Sequence, residues 1–93
     1  MTYVVAKAEW HVDVTGRRYV SGFDRHSVVG VGKSVDLAVS DAGQWWPKSG
    51  YQVWEEESGR GVRLSLVFDD RGRPRWLRVT EADPETQHPT QSR

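Results

Sequence analysis

The sequence contains no cysteine, so neither a disulfide nor a thiolate-bound metal can brace the fold, and the chain suits a reducing compartment such as the cytoplasm. It lacks an apolar run near the ~18 residues that a membrane helix needs, and a basic-then-apolar leader, so neither a span nor a signal peptide is expected. It also lacks an excess of either charge. Thirteen basic residues cancel thirteen acidic ones, which argues against a strongly steered polyanion binder of the histone-like kind. At 93 residues there is room for one domain at most, with a modest core. Five tryptophans are present, more than so small a core can fully bury.

One stretch has helical periodicity. In Gly30-Val-Gly-Lys-Ser-Val-Asp-Leu-Ala-Val-Ser-Asp-Ala-Gly-Gln-Trp-Trp-Pro47, Ser34 is suited to cap a helix N-terminus and Asp36 to sit at its positive end. Val35, Val39, Ala42 and Trp46, widened by Ala38 and Trp45, form a small-residue apolar stripe able to lie flat on a sheet. Pro47 is expected to end this helix after about three turns.

The rest reads as strands, turns and a tail. Tyr3-Val-Val-Ala-Lys-Ala-Glu-Trp-His-Val12 is a first strand, with Tyr3, Val5 and either Trp10 or Val12 on one side and Lys7, Glu9 and His11 towards water. The turn residues from Asp13 to Arg17 make a hairpin with a second strand ending near Phe23. Val28-Val-Gly-Val31 is a short third strand leading into the helix. After the helix, Tyr51-Gln-Val-Trp-Glu55 alternates, with Tyr51 and Val53 on one face and Gln52 and Trp54 on the other. A last hairpin follows: Val62-Arg-Leu-Ser-Leu-Val-Phe68, a turn through Asp69 and Gly72, and Arg75-Trp-Leu-Arg-Val-Thr80. Leu64, Leu66, Phe68, Leu77 and Val79 are expected to point inward. Residues 81–93 hold almost nothing apolar and two prolines, and read as a disordered tail after a single domain spanning 1–80. The expected fold is α+β in the order β-β-(β)-α-β-β-β. Its antiparallel sheet has five to six strands with the helix on one face, leaving the other face to solvent or a partner.

No motif carries chemistry unambiguously. Gly30-Val-Gly-Lys-Ser34 has the residue types of a phosphate loop, and Leu66-Val-Phe-Asp-Asp70 those of an acidic strand end. A full phosphate loop needs glycine where Ser27 stands, and a parallel α/β core that 93 residues cannot build. An ordinary helix cap is the preferred meaning of Lys33-Ser34. His11, His26 and His88 have no ligand spacing, although His26 near Asp24 has the residue types for metal binding or base catalysis. No serine sits in a nucleophile elbow. We therefore expect no enzyme, catalytic residue, metal, cofactor or small-molecule substrate.

The surface signals are the arginines and tryptophans of the C-terminal half. Arg60, Arg63, Arg71, Arg73, Arg75 and Arg78 outweigh Asp69 and Asp70. Trp76 and Arg78 share a strand face, so guanidinium groups beside an indole would hold phosphate and stack on a base if that face were open. The alternative is a solvated face with arginine stems over Trp76 and Glu55, Glu56 and Glu57 as partners, which the zero net charge favours. Trp54, Arg63, Arg75, Trp76 and Arg78 form the candidate interaction surface.

From Tyr3 to Trp46 the chain resembles the HicB-like antitoxin family, on its opening Tyr3-Val-Val strand, Tyr19 and Phe23 four apart, Asp24, Gly32-Lys-Ser34, and Ala38 and Ala42 on the helix. The family's turn after the phenylalanine is proline-rich where this chain has Arg25-His26-Ser27, and the residues after the sheet are not expected to form the family's helical or ribbon DNA-binding domain. The resemblance implies a β-β-β-α-β arrangement and a small binding protein that neutralises a partner, with no catalytic residues. The expected function is a non-enzymatic, antitoxin-like interaction module that binds a protein or a second copy of itself through an uncovered sheet face or edge. The competing expectation is a nucleic-acid-binding module built on the arginine-rich hairpin.

Overall fold

The first ten-residue strand, β1 (Tyr3–Val12), is the axis on which the N-terminal part of the fold is assembled. β2 (Arg18–Phe23) and β3 (Gly30–Gly32) pair antiparallel with it, and so does β4 (Tyr51–Glu55). In this computed structural model, residues 1–79 are described. Contacts divide the chain into one unit, Met1–Val62, and another beginning at Arg63. The division falls inside the span 1–80 read as one domain, and the tail assigned to 81–93 lies outside the described residues.

In the first unit the amides of Asp24 and Val29 donate to the carbonyls of Lys7 and Val5. Residues of the same parity turn their backbone groups to the same side, so β2, a 3-10 turn (Arg25–Ser27) and β3 follow one another along one edge of β1. β4 takes residues 3–7 on the other edge. The first half of β1 is therefore central, and Val4, Val5 and Ala6 are buried on both faces.

The helix α1 (Val35–Ala42) lies against β3, β1 and β4 and buries Val35, Ala38 and Ala42. Ser34 caps it as expected, its hydroxyl accepting from the Leu37 N–H at 3.2 Å. Gly30 and Gly32 are what let it sit so close. A Cβ on Gly30 would stand 2.5 Å from the Ala38 carbonyl oxygen, and one on Gly32 would run into the helix backbone at Leu37 and Ala38. The glycines of the phosphate-loop-like stretch thus serve helix packing, and Asp41 reaches back to accept from the Val31 N–H at 3.0 Å. The helix is shorter than its periodicity suggests. It ends at Gly43, whose φ of 59° lets its N–H bond back to Val39 and Ser40, and a 3-10 turn (Gly43–Trp45) follows. Trp45 and Trp46 therefore lie beyond the helical stripe to which the sequence assigned them.

The α+β class and the antiparallel pairing are as expected, but the strands form two sheets. One is four-stranded (β1–β4); the other joins β5 (Leu64–Phe68) and β6 (Pro74–Arg78). Beyond β4 the chain turns through Gly59 and comes back along that strand: Glu55 N–H donates to Arg60, and Val62 N–H to Val53. Residues 60–62 thereby occupy the edge at which β5 would have joined a single sheet.

Trp54 requires the main correction. It was expected on the exposed face, yet it is only 4% accessible. Its indole packs with Val4, Ala6 and Phe23, donates from Nε1 to the Ala6 carbonyl at 2.9 Å, and extends over Gly61. Alternation failed there because β4 is covered on both faces: Val53 lies on the helix side, and the indole builds its own layer on the other.

Candidate interaction surfaces

β4 pairs with β1 no further than Lys7, so the distal half of the β1–β2 hairpin extends beyond the pairing with β4. Ala8 is opposite Phe23 and Trp10 opposite Val20, which leaves Ser21 and Gly22 as a bulge facing Glu9, with Gly22 at φ 135°. Directly opposed residues share a face. Trp10, Val12 and Val20 therefore continue the Phe23–Trp54 side of the sheet outward as an apolar strip. Trp10 is 54% and Val12 64% accessible, and the Arg18 guanidinium rests 4.7 Å from the Trp10 ring centroid. On the reverse face His11 stacks on Tyr19 at 5.5 Å. The sequence reading missed this strip by grouping Trp10 or Val12 with Tyr3 and Val5, which have the opposite parity. The signal was there in the alternation of Glu9 and His11 with Trp10 and Val12.

The β5–β6 hairpin pairs Leu64 with Arg78, Leu66 with Trp76 and Phe68 with Pro74. Leu64, Leu66 and Phe68 thus share a face with Trp76 and Arg78, and not with Leu77 and Val79 as expected. Arg75 pairs with Val67 on the other face, where Arg63 also lies. Of the five candidate residues, Trp54 is buried in the first unit; in the second, Trp76 and Arg78 are on one hairpin face and Arg63 and Arg75 on the reverse. Phe68 is 63% accessible, and Leu66, Val67 and Leu77 are exposed as well.

Two turns carry resolved carboxylate shifts. The Asp13 carboxyl is held below its ordinary value chiefly by the Thr15 hydroxyl, at 2.6 Å, and then by the Arg17 N–H. Asp69 is lowered chiefly by the Arg73 N–H, at 2.8 Å, with the Arg71 N–H and the Arg73 side chain assisting. Both side chains build turns. Asp24 does likewise, accepting from the His26 backbone N–H at 3.0 Å to cap the 3-10 turn.

A polar hollow of about 260 Å3 opens beside the β2 bulge, lined by Glu9, Arg25, Glu56 and Glu57 among others. Its rim holds the turn after β4: Glu57 accepts from the Thr2 N–H, and Ser58 Oγ donates to Glu55 Oε1 at 2.6 Å. Among the described residues no group of three or more His, Asp or Glu side chains could hold a metal ion, and no helix is long and apolar enough to cross a membrane. In comparisons with known proteins, no family model matches the chain, and neither a curated protein nor a solved structure matches it significantly.

Proposed function

We propose that this chain is a small non-enzymatic interaction module that binds a protein partner through the outer face of the β1–β2 hairpin, in the manner of an antitoxin-like neutralising protein in the cytoplasm. The observation that carries the reading is the strip of Trp10, Val12 and Val20, an exposed aromatic flanked by β-branched residues on a strand pair anchored in the core. A rigid, open tryptophan beside an arginine is the composition of binding hot spots, where large side chains enter a pocket at little entropic cost. The order β1-β2-β3-α1-β4 is the one that a HicB-like relationship implies, and the lack of cysteine suits the proposed compartment. The nucleic-acid reading has less support, since Arg63 and Arg75 are on the opposite hairpin face from Trp76 and Arg78.

The test is site-specific photo-crosslinking in the native cell. A photoreactive residue at Val12 should give an adduct of one discrete mass, identified by mass spectrometry and lost when Trp10→Asp is added to a chain whose circular dichroism is unchanged. Adducts no different from those formed from Asp36 on the helix would overturn the proposal.

A further inference from the structure

We propose that β5 is a self-association edge, pairing antiparallel with β5 of a second copy about a two-fold axis at Leu66. The inference shares with the proposed function only the class of interaction module and uses a different surface. A two-stranded hairpin is marginal in water, and three or more strands are the usual minimum for a stable sheet. In this hairpin the N–H of Val79 donates to Arg63, and that of Asp69 to Arg73. Antiparallel ladders alternate, so Ser65 and Val67 also face β6, while the backbone groups of Leu64, Leu66 and Phe68 point away from it. That outward edge belongs to no other ladder among the described residues.

The two edges of the hairpin are unlike. β6 presents Pro74, which has no N–H to offer, Trp76 and Arg78 at its outward positions. Proline and charge are the usual guards of an edge strand. β5, Leu-Ser-Leu-Val-Phe, has no charge, proline or glycine. It is an unguarded template.

The register about Leu66 is set by what it brings together. Leu66 meets its own copy, Leu64 meets Phe68, and Ser65 meets Val67, with about six ladder hydrogen bonds across the two-fold. At each end Arg63 comes opposite Asp69 of the second copy on the same face, so opposite charges meet there although the carboxylate is also bonded to its own Arg73. The arginines of β6 go to the outer strands, roughly 14 Å apart at three interstrand spacings, beyond the ~8 Å screening length of physiological salt. Leu64, Leu66, Phe68 and Trp76 of both copies then line one face of a four-stranded sheet.

The experiment is sedimentation equilibrium on the full chain, followed by cysteine cross-linking in a sequence that has no cysteine of its own. The expected mass is twice the 10.6 kDa of the chain. Leu66→Lys should weaken association by at least about tenfold by opposing two like charges at the axis. Leu66→Pro should do the same while sparing the hairpin, because it removes only an outward N–H. Leu66→Cys should couple to itself through a short bismaleimide, whereas Arg71→Cys at the turn tip should not, since the antiparallel arrangement sends the two tips in opposite directions. Trp10→Asp should leave the dimer mass unchanged. A wild-type mass of one chain at millimolar concentration, or coupling through Arg71→Cys in place of Leu66→Cys, would overturn the proposal.

Discussion

Asp13 and Asp69 occupy the same place in two turns of matching hydrogen bonding. Each begins Asp-x-x-Gly-Arg, and its Oδ1 accepts from the backbone N–H two and four residues on, from Thr15 and Arg17 in one turn and Arg71 and Arg73 in the other. The glycine N–H donates back to the aspartate carbonyl, with Gly16 at φ 86° and Gly72 at φ 78°. This is a three-residue hairpin loop with a glycine bulge, the left-handed position being the one only glycine takes freely.

Acid sensitivity follows from this pair. Both carboxyls titrate below their ordinary 3.8 in the folded chain, so the stability they confer is present above that value and lost as pH falls through the lower folded pKa. Asp13→Ala should therefore melt below wild type at neutral pH, and the gap should narrow as the pH falls below 3.8 and the wild-type carboxylate is protonated. Thermal melts at neutral pH and in the acid range measure it. A gap of equal size at both would mean that the carboxylate charge contributes nothing.

Gly30 makes a second prediction. Ala38 and Ala42 fill the space above it, so Gly30→Ala must push α1 off β3, at an overpacking cost of about 1–3 kcal/mol. At Gly61 a Cβ would meet the Trp54 ring no closer than 3.5 Å, an ordinary contact. Urea titrations should show a clearly lower midpoint for Gly30→Ala than for Gly61→Ala.

These residues also mark how far the sequence could be read. The elements and their order were legible, because Ser34 caps the helix and turn residues bracket each strand. The extent of the helix was not, since Pro47 looked like its stop while Gly43, able to take positive φ, had already ended it. The hairpin faces were misread because apolar alternation was followed on each strand separately. The Asp69 turn fixes Phe68 opposite Pro74, and hence Trp76 opposite Leu66, whatever the hydropathy of Leu77. Trp54 was misplaced for a different reason: alternation cannot show a strand covered on both faces, and on the second face the indole itself packs with Val4, Ala6 and Phe23.

The arginine hairpin supplies the third prediction. With Arg63 and Arg75 on one face, Trp76 and Arg78 on the other, and Arg73 paired to Asp69 at 2.9 Å, no single face gathers a row of phosphate contacts beside a stacking ring. Fluorescence anisotropy with single-stranded and duplex oligonucleotides at physiological salt should show no binding above background. Micromolar binding that weakens steeply with salt and is lost on changing Arg63, Arg75 and Arg78 to glutamine would instead make the hairpin a nucleic-acid site.

The two tryptophans on the same side of the first sheet should behave oppositely. Trp54 is enclosed by Val4, Ala6 and Phe23, with its N–H bonded to Ala6, so Trp54→Ala should cost about 3–5 kcal/mol, much of the stability of so small a fold. Trp10 is half exposed and gains from Arg18 a cation-ring contact of the surface kind, about 0.5–1 kcal/mol. Trp10→Ala should therefore shift the urea midpoint only slightly. If the strip is a docking face, the same change should abolish the Val12 crosslink. A side chain costly to binding and cheap to folding is one retained for a partner; a large loss of stability from Trp10→Ala would instead show that the ring is part of the core.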